Sequence, residues 1–272
     1  MVEVAGQHRL SQLLRSAEVG DDEATELLPG LFGISIDAER ATEEYLSGQL
    51  KVRPLVELLT RSKAFHTFAA AAPGLPELVT IGKIWSLAIA LCPDGAPAWD
   101  TVTVDCPATG HGIALLETAG NIEELAAGGP IREQAARIHE VVSHPAATGI
   151  VIVARPQELA VAEAIEAAGT LCAQGLPVAA AVLNGVHADR FSPGDEAALT
   201  VVATAEGAVG EAARAGLRHL EHQRDDDAYR ERLAAGTGLP VTDLPEVVRR
   251  RIDLAALELL ADRLSADAGT PA

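Results

Sequence analysis

A chain of 272 residues that is 48% apolar can bury a full core, and it suits one α/β domain better than two. Its 39 acidic residues against 21 basic ones leave a net charge of −18, which argues against nucleic acid and anionic membrane surfaces as partners. Cys92, Cys106 and Cys172 form no C-x-x-C pair, and no signal-like opening or apolar run of ~18 residues occurs, so the chain reads as cytoplasmic with no transmembrane segment.

Met1–Val4 is strand-like, and residues 5–10 turn into a helix. Leu31–Asp37 reads as a short strand ending in an acid, with Asp37 placed to cap the helix that follows. Residues 38–98 form a long helical insertion, notably apolar at Phe65–Ala72 and Ile81–Cys92. Two readings stand there: ordinary helix-on-helix packing, or a surface for a dimer or client.

Thr101–Asp105 is a run of β-formers ending in a carboxylate, followed by a Pro/Gly-punctuated loop. In open α/β sheets ligands bind just outside the carboxyl ends of the strands, where Asp105 falls. A lone carboxylate there suits a hydrated magnesium ion, and it equally suits a helix cap. Beyond it, Ile113–Glu117 and Ile122–Ala127 read as helices broken near Gly120, and Ile131–Ser143 as the next helix.

Gly149–Ala154 reads as a buried strand, followed by a helix ending near Gln174. Val178–Leu183 is the next strand, and it terminates in Asn184. An amide there can pair both donor and acceptor with an adenine edge, although Asn184–Gly185 is also a good turn dipeptide. Residues 192–236 are helical, charged and without functional signal; a short strand and turn at Leu239–Arg249 and a helix at Ile252–Leu264 close the chain. His139 and His144 have the wrong spacing for one helical face, and His219 with His222 lacks a third metal ligand. No G-x-x-x-x-G-K-[ST] phosphate loop is present: at Gly82–Lys83, Glu77 takes the first glycine position and Ile84 the hydroxyl position.

Asp105-Cys-Pro-Ala-Thr-Gly-His111 resembles the Asp-Thr-Ala-Pro-Thr-Gly-His signature of ArsA-type anion-transporting ATPases, relatives of which deliver tail-anchored membrane proteins. Ile36–Leu46, Pro73–Leu78, Gly82–Trp85, the Pro156-x-Glu158 helix start with Glu163, Asn184 and Leu244–Pro245 extend the likeness from residue 1 to about 264. The resemblance implies a single doubly wound, mostly parallel α/β sheet of P-loop NTPase type with the helical insertion at 38–98, its first strand and P-loop missing. It implies ATP and Mg2+ as cofactors, with Asp105 in the metal shell and Thr109, Gly110 and His111 sensing the γ-phosphate. Asn184, Leu244 and Pro245 fall at the family's adenine-binding positions. Glu3 and His8 fall in a switch I-like region, where Ala5 stands in place of the family's water-orienting acid. It further implies a homodimer or a paralogous ArsA-like partner, a protein client at 38–98, and ATP hydrolysis coupled to dimer rearrangement. The alternative is a non-catalytic partner subunit on the same scaffold. Without a first strand, the edge of Thr101–Asp105 would be unpaired, and self-association there or through 38–98 is the expectation.

Overall fold

Val2, Glu3 and Val4 form β1, a strand buried at every position. In the computed structural model, residues 1–4, 9–14, 19–20, 23–38, 40–42, 74–192, 194–250 and 252–268 are described. They group into two units, Met1–Thr148 and Gly149–Ala272.

The first unit contains β1, α1 (Arg9–Leu14), β2 (Thr25–Leu28), β3 (Leu31–Ile36), α2 (Leu75–Ala88), β4 (Val104–Asp105), α3 (Thr109–Leu125) and α4 (Pro130–Ser143). Its sheet has the order β2-β3-β1-β4. β3, β1 and β4 run parallel, and β2 joins antiparallel through the Pro29–Gly30 turn. Parallel strands with helical crossovers are buried on both faces, which is why Ser35 is as buried as Ile34 and Ile36, which point to the opposite face. Helices α2, α3 and α4 pack on one another. Ala135, Ile138 and Val142 of α4 are buried at i, i+3, i+7, one helical face.

α3 runs without interruption through Gly120, where the sequence suggests a break. The glycine is a packing notch: a Cβ there would lie 3.1 Å from His139 Cε1 and Nδ1 of α4. The strand expected over 101–105 is ordered as β-structure only at Val104–Asp105, because its partner β1 offers three residues for pairing.

The second unit contains β5 (Ile150–Ala154), α5 (Glu158–Ala173), β6 (Val178–Val186), α6 (Asp195–Val202), α7 (Gly207–Thr237), β7 (Val241–Pro245) and α8 (Leu254–Ala268). Its three strands are parallel in the order β5-β6-β7. The core here joins Ala154, Ala181 and Leu183 of the sheet to Val161 and Ala164 of α5 and Leu233 of α7.

The fold is thus α/β with mostly parallel strands, as the sequence suggests. The strands lie in a four-stranded and a three-stranded sheet rather than one, because β4 and β5 each pair on one side only among the described residues. Much of the insertion, residues 43–73, lies outside the described residues. Among the described residues no helix is long and apolar enough to cross a membrane.

Candidate functional site

In the first unit the chain passes from β1 to β3 on one side, then to β4 on the other side of β1. The direction of winding therefore reverses between β1 and β4, and such a reversal opens a crevice at the carboxyl ends of the strands. Asp105, the last residue of β4, is in register with Glu3 of β1, which is in register with Ser35 of β3. Three oxygen-bearing residues thus form one row across three strands at this crevice.

Glu3 is 2% exposed, and its Oε1 accepts the backbone N–H groups of Arg9 at 2.7 Å and Leu10 at 2.9 Å. The acid is a cap for α1, supplied from the preceding strand. Its Oε2 and the Ser35 hydroxyl are buried with no hydrogen-bond partner among the described residues. His8, the other switch I-like residue, lies outside the described residues.

Asp105 is exposed. α3 opens on Ala108 with no side-chain cap, so the carboxylate is not spent on capping. Thr109, Gly110 and His111 form the first turn of that helix, with Gly110 and His111 exposed. Free N–H groups and the positive end of the dipole make a helix start of this length favourable to anions. An exposed acid at the end of a strand suits a hydrated magnesium ion, which keeps most of its waters and needs one or two carboxylates.

Gly112 holds the loop between them. A Cβ at this position would lie 2.5 Å from the Pro107 carbonyl oxygen, a backbone atom that cannot swing aside. Gly112→Ala is therefore expected to displace the Cys106–Ala108 loop and destabilise the chain by about 1–3 kcal/mol, the usual range for overpacking. Urea denaturation checks this, and an unchanged midpoint would mean that the loop is slack.

Cys106 is an exposed free thiol, and partial desolvation of its sulfur, followed by the negative charge of Asp105, pushes it above its ordinary value. Thiolates are the reactive form, so Cys106 should alkylate more slowly at pH 8 than a free cysteine. Asp105→Asn should speed that reaction. Equal iodoacetamide rates in parent and variant would show that the Asp105 charge does not reach the sulfur.

In the second unit the candidate residues come together at the carboxyl edge of the sheet. Asn184 is paired in register with Leu244, and Val186 with Pro245, with a register shift between Asn184 and Val186. Asn184 is exposed, Leu244 is 9% exposed and Pro245 is half-buried. β6 continues past Asn184 because β7 pairs with it through Val186. Gly185 has φ +93°, and a Cβ there would lie 3.2 Å from Arg155 Nη2, so the guanidinium leans over this peptide.

Arg155, His187 and Asp226 are absent from the sequence reading of the site. His187 Nδ1 lies 2.9 Å from Asp226 Oδ2. The ring of His187 stacks on His222 with centroids 4.8 Å apart. His219, His222 and Asp226 stand at i, i+3, i+7 of α7, a one-face pattern that is visible in sequence once a partner is known. Among the described residues no three His, Cys, Asp or Glu side chains cluster as metal ligands. His219 instead bonds the Ala188 carbonyl, and His144 Nδ1 accepts from the Ala146 N–H.

No protein-family model matches the chain. It is 28% identical, over 275 aligned residues covering 98% of its length, to ATPase BagA of Mycobacterium tuberculosis. The aligned region makes up 75% of that relative. The same identity and coverage relate it to the Mycobacterium bovis protein named "Putative ATPase Mb3704".

Proposed function

We propose that this chain is an adenine-nucleotide-binding protein of the ArsA type of ATPases. In this reading Asp105 serves a magnesium ion, Thr109, Gly110 and His111 respond to the γ-phosphate, and Asn184 with Leu244 and Pro245 receives the adenine. The observation that carries the reading is similarity along 98% of the chain to proteins named ATPases. It is supported in the first unit by an exposed Asp105 without capping duty at the reversal of the sheet. In the second unit it is supported by Asn184, Leu244 and Pro245 meeting at one sheet edge. Magnesium, where bound, would neutralise charge on the phosphates. Coupling of nucleotide state to dimer rearrangement and to a client at 38–98 belongs to the proposal through the family likeness.

The test is a titration of ATP with and without magnesium into the parent chain and Asp105→Asn. Magnesium should tighten binding to the parent, and the variant should lose about tenfold of that gain, or ~1.4 kcal/mol. The amide keeps the shape of the side chain while removing the charge that holds the cation. Identical magnesium dependence in both proteins would take Asp105 out of the metal role.

A second reading, a non-catalytic partner subunit, is favoured by one observation: the 272 residues contain no phosphate-loop motif. Binding of ATP without turnover by the chain, in the presence of a catalytic partner, would select it.

A further inference from the structure

We infer that Asp226 is a positioning residue for Asn184, acting through His187 and the short loop that leaves β6. The inference rests on the adenine reading of Asn184 proposed above, and it adds a residue forty-two positions away, in α7, to that edge of the sheet.

Asp226 is 3% exposed, in the interior of a helix of 31 residues. A buried carboxylate is costly unless hydrogen bonds replace its water. Its partners both belong to His187: the backbone N–H donates to Oδ2 at 2.6 Å, and ring Nδ1 lies 2.9 Å from the same oxygen. Since a carboxylate only accepts, the proton of the imidazole sits on Nδ1 in this contact.

The next two residues are tied to the same helix. His219 Nε2 donates to the Ala188 carbonyl at 2.7 Å, and Gln223 Nε2 donates to Asp189 Oδ1 at 2.8 Å. The His187 ring is stacked on His222 and meets His219 edge-on at 5.8 Å. Residues 187, 188 and 189 are therefore clasped in succession onto one face of α7.

The clasp begins three residues after Asn184. Between them lie the register shift of β6 and the left-handed backbone of Gly185. A bulge re-aims the side chain beside it, and where the strand is anchored decides which way that side chain points. On one side the bulge is fixed by pairing with β7, through the Glu246 N–H to the Val186 carbonyl at 2.8 Å. On the other it is fixed by Asp226. An exposed amide that reads a base by donor and acceptor together needs a set orientation, because a rotated amide presents the wrong pattern.

The experiment compares the parent chain with Asp226→Asn and His187→Ala in two measurements. Hydrogen exchange reads the backbone amides of 185–189, and competitive titration reads the preference for Mg-ATP over Mg-GTP. Asp226→Asn is expected to speed exchange in this segment at least tenfold and to reduce the ATP preference about tenfold. His187→Ala, which leaves the backbone bond to Asp226 in place, is expected to move both in the same direction by less; it carries the test if the first variant does not fold. Unchanged exchange overturns the inference. So does faster exchange with the ATP preference intact, since a purely structural clasp would do that. Where the parent prefers ATP and both variants keep that preference, this inference alone fails. A parent that binds neither nucleotide, or both equally, defeats the adenine reading and this inference with it.

Discussion

Residues 1–272 are expected to turn over ATP no faster than ~10⁻³ s⁻¹, against the roughly 1–100 s⁻¹ of kinases. Phosphoryl transfer is accelerated by positioning and by neutralising charge on the phosphates, and a glycine-rich loop with its lysine supplies both. The sequence offers Gly82–Lys83 as its Gly-Lys pair, and the structure places that pair inside α2. There the backbone N–H groups are committed to the helix, and a Cβ at Gly82 would already touch Gln134 and Ile138 of α4. This segment cannot wrap a phosphate. The exposed first turn of α3 can receive an anion, but it brings no lysine with it. Phosphate release under single-turnover conditions measures the rate. A value in the kinase range would overturn the prediction and require a cradle built from other residues.

What was legible in the sequence was whatever local chemistry decides. Ile150–Ala154 and Leu31–Ile36 form strands as read, although the first is not the buried strand expected, since Val151 and Val153 are exposed. Asp37 caps the turn that follows β3, with the Arg40 N–H on its Oδ1 at 3.0 Å, as its place after the strand suggests. α4 begins at Pro130, whose ring fixes the first helical φ. What was not legible depends on partners distant in sequence. β2 is four residues with a glutamate inside, and only pairing with β3 makes it a strand. Gly120 reads as a break until His139 is seen lying against it. The stretch 192–236 reads as charged helix without functional signal, yet Asp226 is buried against a histidine 39 residues away. Charge and periodicity of one helix do not reveal which of its acids will meet a loop from another strand. At the site, the pairing of Asn184 with Leu244 bears on the adenine reading by placing the two together, and Asp105 is placed by its strand alone.

The parent chain is expected to self-associate, and the outer edge of β5 is the surface that should carry it. Among the described residues β4 pairs only with β1, and β5 only with β6, so each strand leaves one row of backbone donors and acceptors without a ladder partner. Such rows template pairing with another chain unless charge, proline or brevity blunts them. β4 is blunted: it has two residues and ends in Asp105. β5 is not. Its sequence Ile-Val-Ile-Val-Ala carries neither charge nor proline, and Val151 and Val153 are 52% and 60% exposed. Leu159, at the start of α5, adds another exposed apolar side chain. The net charge of −18 opposes association, but at physiological salt charges more than ~8 Å from the contact are largely screened, and β5 itself carries none. Sedimentation velocity over a tenfold concentration range should therefore show a shift toward dimers or larger species. Val153→Lys places one positive charge on the exposed face of the edge strand, the device natural sheets use against pairing, and should return the chain to monomer. A parent that stays monomeric across the range would overturn the expectation. Association of Val153→Lys as strong as the parent's would acquit β5 and move the contact to another surface of the chain.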